Sequence, residues 1–196
     1  MEFVSNFSQT LNHIASSFPI ERNIKFFTQD ESRFGLLSIQ RRRITLKGIK
    51  PISHFQHEFK SYYLYGAVEP LTGEHFFLEL PALDTACFQV YLDEFSKTYQ
   101  DSFNIILLDR GSFHKSKSLK LPHNVATILL PPYSPELSPI ERVWESLKGD
   151  IANELYADID SLKDRVASVI CSYSDSTFSS LTSYPYFINA VNDVFQ

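Results

Sequence analysis

The chain has 196 residues, 43% of them hydrophobic and 14% aromatic, and a formal net charge of −5. This length suits one domain with a real apolar core, and the many Phe and Tyr residues exclude a disordered chain. No apolar run is long enough to span a membrane, and the N-terminus MEFVSNFSQT lacks the pattern of a signal peptide. Cys87 and Cys171 form no CxxC pair, so we expect reduced core residues in a cytosolic protein.

The first half of the chain is predicted to contain two helices and four strands. Apolar residues at steps of three and four predict an amphipathic helix over residues 3–18. Strands are expected at residues 24–30 and 34–40, joined by a tight turn, and then at 62–69 and 75–80, on either side of the turn signal Pro-Leu-Thr-Gly. A helix with one apolar face is expected at residues 84–99.

The second half is predicted to alternate strands and helices. Residues 104–108 are almost continuously apolar, as expected of a central parallel strand, and 126–130 is the next strand. A helix is predicted from Ser138 to about residue 153, with Trp144 in the core beneath it, and another helix at residues 161–173. Hairpin strands followed by alternating helices and strands predict an α/β fold with a mixed sheet flanked by helices.

Three acids fall at element ends, where the chemistry of a two-metal site could use them. Asp30 ends the run IKFFTQD, Asp109 ends IILLD, and Glu141 lies in the first turn of a predicted helix, with 31 residues between it and Asp109. Divalent cations prefer carboxylate oxygens, which the fold must bring together from distant positions. We expect the three carboxylates to repel one another, so that removing Asp109 from the metal-free protein is neutral or mildly stabilising.

The residues alone leave structural alternatives open for each acid. The segment following Asp109, Arg-Gly-Ser, also suits an Asx-turn. Glu141 fits a capping box with Ser138, and Glu145, one helical turn later, is an equal candidate for the third acid. Asp30 and the next residue, Glu31, point to opposite sides of a strand, so only one can face the site, and the other is expected in solvent or paired with a base.

Two segments carry a resemblance to a known family. LLDRGSFHKSKSL and LPPYSPELSPIERVW resemble the catalytic domain of bacterial insertion-sequence transposases, in the insertion-sequence "six-thirty" branch of the mariner-like superfamily. QDESRFGL, the following RRR and YLYGAVEPLTG extend the resemblance from about residue 26 to the end of the chain. It implies a ribonuclease-H-like fold and a DDE enzyme whose Asp30, Asp109 and Glu141 hold two Mg²⁺ or Mn²⁺ ions. The implied activity is metal-dependent DNA cleavage and strand transfer in transposition.

Basic residues predict where DNA would lie. The acidic excess is confined to residues 150–196, with seven acids and two bases, whereas residues 1–149 hold 16 of each. Two acid-free basic runs suit a phosphate backbone. The predicted DNA-binding residues are Arg41, Arg42, Arg43, Lys47, His114, Lys115 and Lys117. For His114, which matches a histidine common in the family, the alternative is a helix-surface residue; His54 and His57 lack the further ligands of a zinc site.

The resemblance also sets expectations about what surrounds the domain. We expect a linker helix at residues 1–22 and the catalytic domain at 23–196, as the C-terminal half of a transposase. Its partners would be transposon ends, target DNA and a helix-turn-helix polypeptide that is either separate or fused by frameshift. A second copy in a homodimer is also expected. The protein would act in the cytoplasm at the nucleoid and not at a membrane. Arg110 and Ser138 replace asparagines usual in the family, and these departures support one alternative, an inactive remnant that only binds or assembles. A second alternative is a ribonuclease-H-like nuclease with no role in transposition.

Overall fold

Five strands form one mixed sheet at the centre of the protein. A computed structural model describes residues 2–16, 23–39, 45–48 and 55–195. The strands are β1 (Asn23–Gly35), β2 (Ser61–Val68), β3 (His75–Leu80), β4 (Ser102–Leu108) and β5 (Val125–Leu129). Their spatial order is β3-β2-β1-β4-β5, with β1, β2 and β3 antiparallel and β1, β4 and β5 parallel. The predicted mixed sheet is therefore confirmed.

In the described part of the chain, six α-helices pack on the sheet. They are α1 (Glu2–Ser16), α2 (Thr85–Thr98), α3 (Glu141–Asp150), α4 (Ile159–Ser172), α5 (Asp175–Thr182) and α6 (Pro185–Phe195). Side-chain caps begin α2, α4 and α5, where Asp84, Asp158 and Ser174 accept hydrogen bonds from backbone N–H groups of the first turn. None of the described helices is long and apolar enough to cross a membrane.

Alternate residues of each strand pack into hydrophobic clusters on opposite faces of the sheet, because successive side chains of a strand point to opposite faces. On one face, Phe27 of β1 and Ile106 of β4 pack with α2. On the other face, Phe26 lies in a cluster that joins the sheet to α1 and α6, and Phe34 lies in a second cluster with α3, α4 and α5. Asp30 lies between Phe26 and Phe34 on this second face. The domain boundary predicted at residue 22 stays a prediction, although α1 packs Phe7 and Leu11 into the same core as α6.

The prediction of two strands at 24–30 and 34–40 is wrong. A single strand of 13 residues runs through this region, and its hairpin partner is β2. The polar stretch Asp-Glu-Ser-Arg has no Gly or Pro to turn the chain, and Ser32 within it is buried against Leu64 of β2. Glu31 finds a buried partner of its own, described below, so polarity here does not signal a turn.

Two further details differ from the sequence prediction. Helix α3 begins at Glu141, and the predicted cap by Ser138 is wrong: no side-chain cap hydrogen bond starts this helix, which follows a turn ending at Ile140. Both cysteines are free, as expected, but only Cys87 packs against the core, whereas Cys171 is exposed on α4. Helices α5 and α6 have no counterpart in the sequence prediction.

Candidate active site

A cleft opens where β1, β4 and α3 meet. In the parallel pairing of β1 with β4, Thr28 lies opposite Leu107. Two residues further along each strand come Asp30 and Asp109, which therefore lie side by side on the same face of the sheet. The cleft has a volume of about 490 Å³, and Asp30, Asp109 and Glu141 all line it. The structure thus brings the three sequence-predicted acids to one cavity.

Asp30 is held at the floor of the cleft by a tryptophan. The indole Nε1–H of Trp144 donates to Oδ2 of Asp30 over 3.1 Å, and the ring itself is buried, as predicted. Room for this ring comes from Gly66, the cross-strand neighbour of Asp30, where a Cβ would lie 2.7 Å from Cη2 of Trp144. Burial raises the pKa of Asp30 well above its usual value, and the nearby carboxylates of Glu31, Glu141 and Asp109 add to this rise.

The surroundings of Asp109 lower its pKa, whereas those of Asp30 raise the pKa of that carboxyl. Its Oδ1 accepts hydrogen bonds from the backbone N–H of Gly111 and from Nδ1 of His114, each over 2.8 Å. The hydrogen bond from His114, with that from Gly111, lowers the pKa of Asp109 despite its partial burial. The Asx-turn at Asp109 is therefore present, and the catalytic role of Asp109 stays a prediction. The expected gain in stability on removing Asp109 does not follow from this environment.

His114 is an internal residue of the site. It lies in a short 3-10 turn, Phe113–Lys115, and its side chain is 0% exposed. Its Nε2 lies 3.2 Å from Oε1 of Glu31, so Glu31 has the basic partner that was one of its expected alternatives. Burial alone would lower the pKa of His114, but the hydrogen bonds to Asp109 and Glu31 raise it to about 9. Since the ring is buried, the helix-surface alternative for His114 is wrong. The DNA contact at His114 stays a prediction, although the ring has no exposed surface to offer a phosphate.

Glu141 is better placed than Glu145 to be the third acid. Glu141 lines the cleft, is partly buried, and has a raised pKa because of burial, with Glu145 and Asp109 adding to the rise and Lys148 opposing it. Glu145 is exposed and is not among the residues that line the cleft. The assignment of Glu141 remains a prediction about chemistry, but the geometry favours it.

The basic residues divide between the cleft and its surroundings. Arg110 and Lys115 line the cleft, and Nε of Arg110 donates to the carbonyl of Leu130 at the end of β5 over 2.7 Å. Lys117 and Lys47 are exposed elsewhere on the surface. The predicted DNA contacts at residues 41–43, and His54, lie outside the described residues.

The cleft is not a preformed metal cage. Within the described ranges, no three His, Cys, Asp or Glu side chains lie close enough together to hold an ion as they stand. Carboxylates without a cation repel one another. Trp144 holds the carboxylate of Asp30 in its place, and His114 holds that of Asp109. The donor set nevertheless fits hard divalent cations, because it offers several carboxylate oxygens along one open cleft.

Sequence reasoning missed one residue at the rim. Tyr133 lines the cleft, is 100% exposed, and has a left-handed backbone with φ of 57°. Non-glycine residues with this conformation are uncommon and concentrate at functional sites. The signal available in the sequence was an aromatic residue inside the proline-rich segment PPYSP, where rigid neighbours keep it from folding back into the core.

Comparison with known sequences gives two matches. The family model described as "DDE superfamily endonuclease" matches residues 25–163, more than half of the chain. An uncharacterized protein, y4pE/y4sA of Sinorhizobium fredii (strain NBRC 101917 / NGR234), is 35% identical over 102 residues, which are 51% of this chain and 76% of that protein.

Comparison with solved structures finds complexes of the Mos1 transposase. The Mos1 paired-end complex with the left transposon end superposes with a TM-score of 0.67 and 14% identity, covering 97% of this chain and 61% of the Mos1 chain. The Mos1 strand transfer complex gives a TM-score of 0.68 and 16% identity, covering 100% and 60%. The Mos1 mariner paired-end complex with Mn gives 0.65 and 15%, covering 98% and 62%. At such identity the likeness concerns the fold, and it confirms the expected ribonuclease-H-like sheet flanked by helices. The chain spans about three fifths of the Mos1 chains it matches.

Proposed function

The chain belongs to the DDE superfamily of endonucleases, and we propose that it is the catalytic domain of a DNA transposase of the bacterial insertion-sequence "six-thirty" branch. The observation that carries this proposal is the placement of Asp30, Asp109 and Glu141 along one cleft. Asp30 lies within β1, Asp109 directly follows the neighbouring strand β4, and Glu141 begins α3. The proposed reaction is cleavage of a DNA strand followed by transfer of its 3′ end, both as displacements at phosphorus.

Asp30, Asp109 and Glu141 would hold two divalent ions, Mg²⁺ or Mn²⁺. The chemistry that such ions supply when bound is activation of the attacking oxygen and stabilisation of the leaving oxygen. The raised pKa values of Asp30 and Glu141 and the crowding of negative charge mean that cation binding would relieve repulsion already present in the cleft. The Mos1 structure with Mn supports the choice of a divalent metal.

Positive side chains and one aromatic ring would hold the DNA. We assign Lys115 to the phosphates nearest the cleft, because its side chain lines the cleft. Lys47 and Lys117, which are exposed outside the cleft, would contact the DNA backbone further away. Arg41, Arg42 and Arg43 stay DNA contacts proposed from the sequence. Tyr133 is added to this set: its exposed ring could stack on an unpaired base at the strand end, a contact worth about 1–3 kcal/mol in other single-strand-binding proteins.

The wider assembly is proposed from the relatives. The Mos1 neighbours are complexes with a transposon end and with a transferred strand, which supports transposon ends and target DNA as partners here. We further propose that this domain is the C-terminal half of a transposase and works with a helix-turn-helix unit, encoded separately or fused by frameshift, and with a second copy in a homodimer. It would act in the bacterial cytoplasm, at the nucleoid.

A cleavage and joining assay tests the proposal. Nicking is measured on labelled duplex DNA. Joining is measured with an oligonucleotide that has a 3′-hydroxyl and a target plasmid. Both reactions contain the protein and either Mg²⁺ or Mn²⁺. Wild type and Glu145→Gln, which changes a carboxylate outside the cleft, should nick and join DNA only with metal, and Glu141→Gln should do neither. Nicking of plain duplex without any joining would favour the ribonuclease-H-like nuclease. A folded wild type that is inactive with both metals would favour the inactive remnant.

A further inference from the structure

We propose that Glu31 is a positioning residue that acts through His114 to fix the carboxylate of Asp109, so that Oδ2 is the oxygen presented to the cleft. This inference rests on the proposed function only for what Oδ2 would bind. Glu31 and Asp109 lie on different faces of the sheet, so no direct contact joins them. The imidazole of His114 spans the distance around the end of β4.

Hydrogen bonds connect the three side chains in series. His114 Nε2 lies 3.2 Å from Oε1 of Glu31, and Nδ1 lies 2.8 Å from Oδ1 of Asp109 and 3.3 Å from its carbonyl oxygen. The two ring nitrogens of His114 therefore face two different carboxylates, Glu31 at Nε2 and Asp109 at Nδ1. Gln29 also donates to Oε1 of Glu31, over 2.8 Å, which fixes the far end of the series.

Glu31 and His114 are buried, and Asp109 at the other end of the series is exposed to solvent. The side chains of Glu31 and His114 are 5% and 0% exposed, whereas that of Asp109 is 54% exposed. A surface ion pair would be screened by water, but the Glu31–His114 pair is shielded and keeps its geometry. The solvent-facing carboxylate of Asp109 is therefore held by His114, and His114 is held by the buried Glu31.

Packing holds the imidazole in place. Its ring centroid lies 4.4 Å from that of Phe88 on α2 and 4.2 Å from that of Phe113. Gly111 allows the turn to close tightly, because a Cβ there would lie 3.2 Å from both Oδ1 of Asp109 and Nδ1 of His114. The ring cannot leave without opening the aromatic cluster under α2.

The consequence concerns the two oxygens of Asp109. Oδ1 accepts from both His114 and the N–H of Gly111, whereas Oδ2 accepts no hydrogen bond from any residue that the structure describes. One oxygen is thus committed to the protein and the other is left for the cleft. Partners behind a metal ligand fix its orientation in this way, and their loss weakens metal binding. Glu31 would fix the orientation of the His114 ring through its contact with Nε2.

The test uses Glu31→Gln, which keeps the size of the side chain and removes its charge. Glu74→Gln is the matched control, because it breaks another partly buried ion pair, Lys25–Glu74, away from the cleft. The first readout needs no metal: amide hydrogen exchange of Gly111, whose N–H reports on Oδ1 of Asp109. The second is the dissociation constant for Mn²⁺, measured by electron paramagnetic resonance without DNA.

We expect Gly111 exchange to become about tenfold faster in Glu31→Gln and Mn²⁺ binding to weaken by about tenfold, with neither change in Glu74→Gln. Where Glu31→Gln does not fold, His114→Gln is measured in the same way. Unchanged Gly111 exchange would overturn the proposal, even if stability falls. A wild type that binds no Mn²⁺, together with faster Gly111 exchange in Glu31→Gln, would contradict the proposed metal-dependent function while supporting the positioning role.

Discussion

Replacing Asp30 or Asp109 with asparagine should change the stability of the metal-free protein in opposite directions. Asparagine keeps the size of aspartate and removes its charge. At Asp30 that charge is disfavoured by burial and by neighbouring carboxylates, and the asparagine oxygen can still accept from Trp144. At Asp109 the charge is favoured, because His114 and Gly111 donate to it. Asp30→Asn should therefore stabilise the fold and Asp109→Asn should destabilise it.

The signs follow from proton linkage. The folded protein raises the pKa of Asp30, so it holds that proton more tightly than the unfolded chain does, and stability is lost as pH rises above about 4. This penalty grows as pH rises above the unfolded value, and at pH 7.5 Asp30→Asn gains back the part that has accumulated. The lowered pKa of Asp109 means the reverse: its contribution is present at pH 7.5 and is lost as pH falls through the folded value.

The magnitudes follow from the size of such effects. A tenfold change in acidity corresponds to about 1.4 kcal/mol, so we expect Asp30→Asn to gain at least 1 kcal/mol. Asp109 is half exposed, and solvent screening reduces the loss for Asp109→Asn to roughly 1 kcal/mol. For a domain of this length, each corresponds to a change of about 2–4 °C in Tm.

Thermal unfolding in EDTA at pH 7.5 measures both effects, and a second series at pH 4.5 checks their origin. The gain for Asp30→Asn should shrink at the lower pH as the wild-type carboxyl takes up its proton. If Asp30→Asn melts below wild type at pH 7.5, the carboxylate of Asp30 is a structural hydrogen-bond acceptor and the reasoning is refuted. If Asp109→Asn is neutral, the link to His114 contributes nothing.

Four further predictions concern single positions or conditions. Gly66→Ala should destabilise the fold by about 1–3 kcal/mol, because its Cβ would press on Trp144; a melt equal to wild type would show that the ring can move aside. Arg110→Asn should bind Mg²⁺ more tightly and nick faster, because a fixed positive charge leaves the cleft; slower nicking with a shallower salt dependence would identify Arg110 as a DNA contact. The ion pairs of His114 should stabilise the protein fully below about pH 6.5 and be lost as pH rises through about 9, so the stability difference between wild type and His114→Gln, followed by denaturant titration, should shrink over that interval. The isolated chain should bind DNA weakly, without sequence preference and with a steep loss of affinity in salt, measured by fluorescence anisotropy; tight, salt-tolerant binding to one sequence would contradict the absence of a base-reading element among the described residues.

Local sequence features made the acids of the cleft candidates, and the family resemblance selected them from their alternatives. Asp109 follows a fully buried strand, and Glu141 follows a proline-rich motif with a specific family pattern. Asp30 was chosen over Glu31 by the resemblance, and strand alternation then required Glu31 to face the other way. Strand and helix positions followed from periodicity wherever one face is buried, as in α1, α2 and β4.

The sequence could not predict contacts that depend on packing between distant segments. Trp144 reaches Asp30 across 114 positions, and His114 reaches Glu31 across 83. Such pairs leave no periodic signal, so Glu31 was expected in solvent or with an unnamed base, and His114 at the surface or on DNA. For the same reason two strands were predicted where the structure has the single strand β1. The polar stretch around Glu31 is stabilised by partners that come later in the chain.

The central claim is that Asp30, Asp109 and Glu141 jointly hold two divalent ions. A crystal structure of the wild-type chain soaked in Mn²⁺, with anomalous scattering recorded at the manganese edge, tests it most directly. We expect two manganese peaks in the cleft, about 4 Å apart, with carboxylate oxygens of all three acids as ligands and Oδ2 rather than Oδ1 of Asp109 among them. An empty cleft at saturating Mn²⁺, or an ion held by Glu145 with Glu141 turned away, would contradict the account.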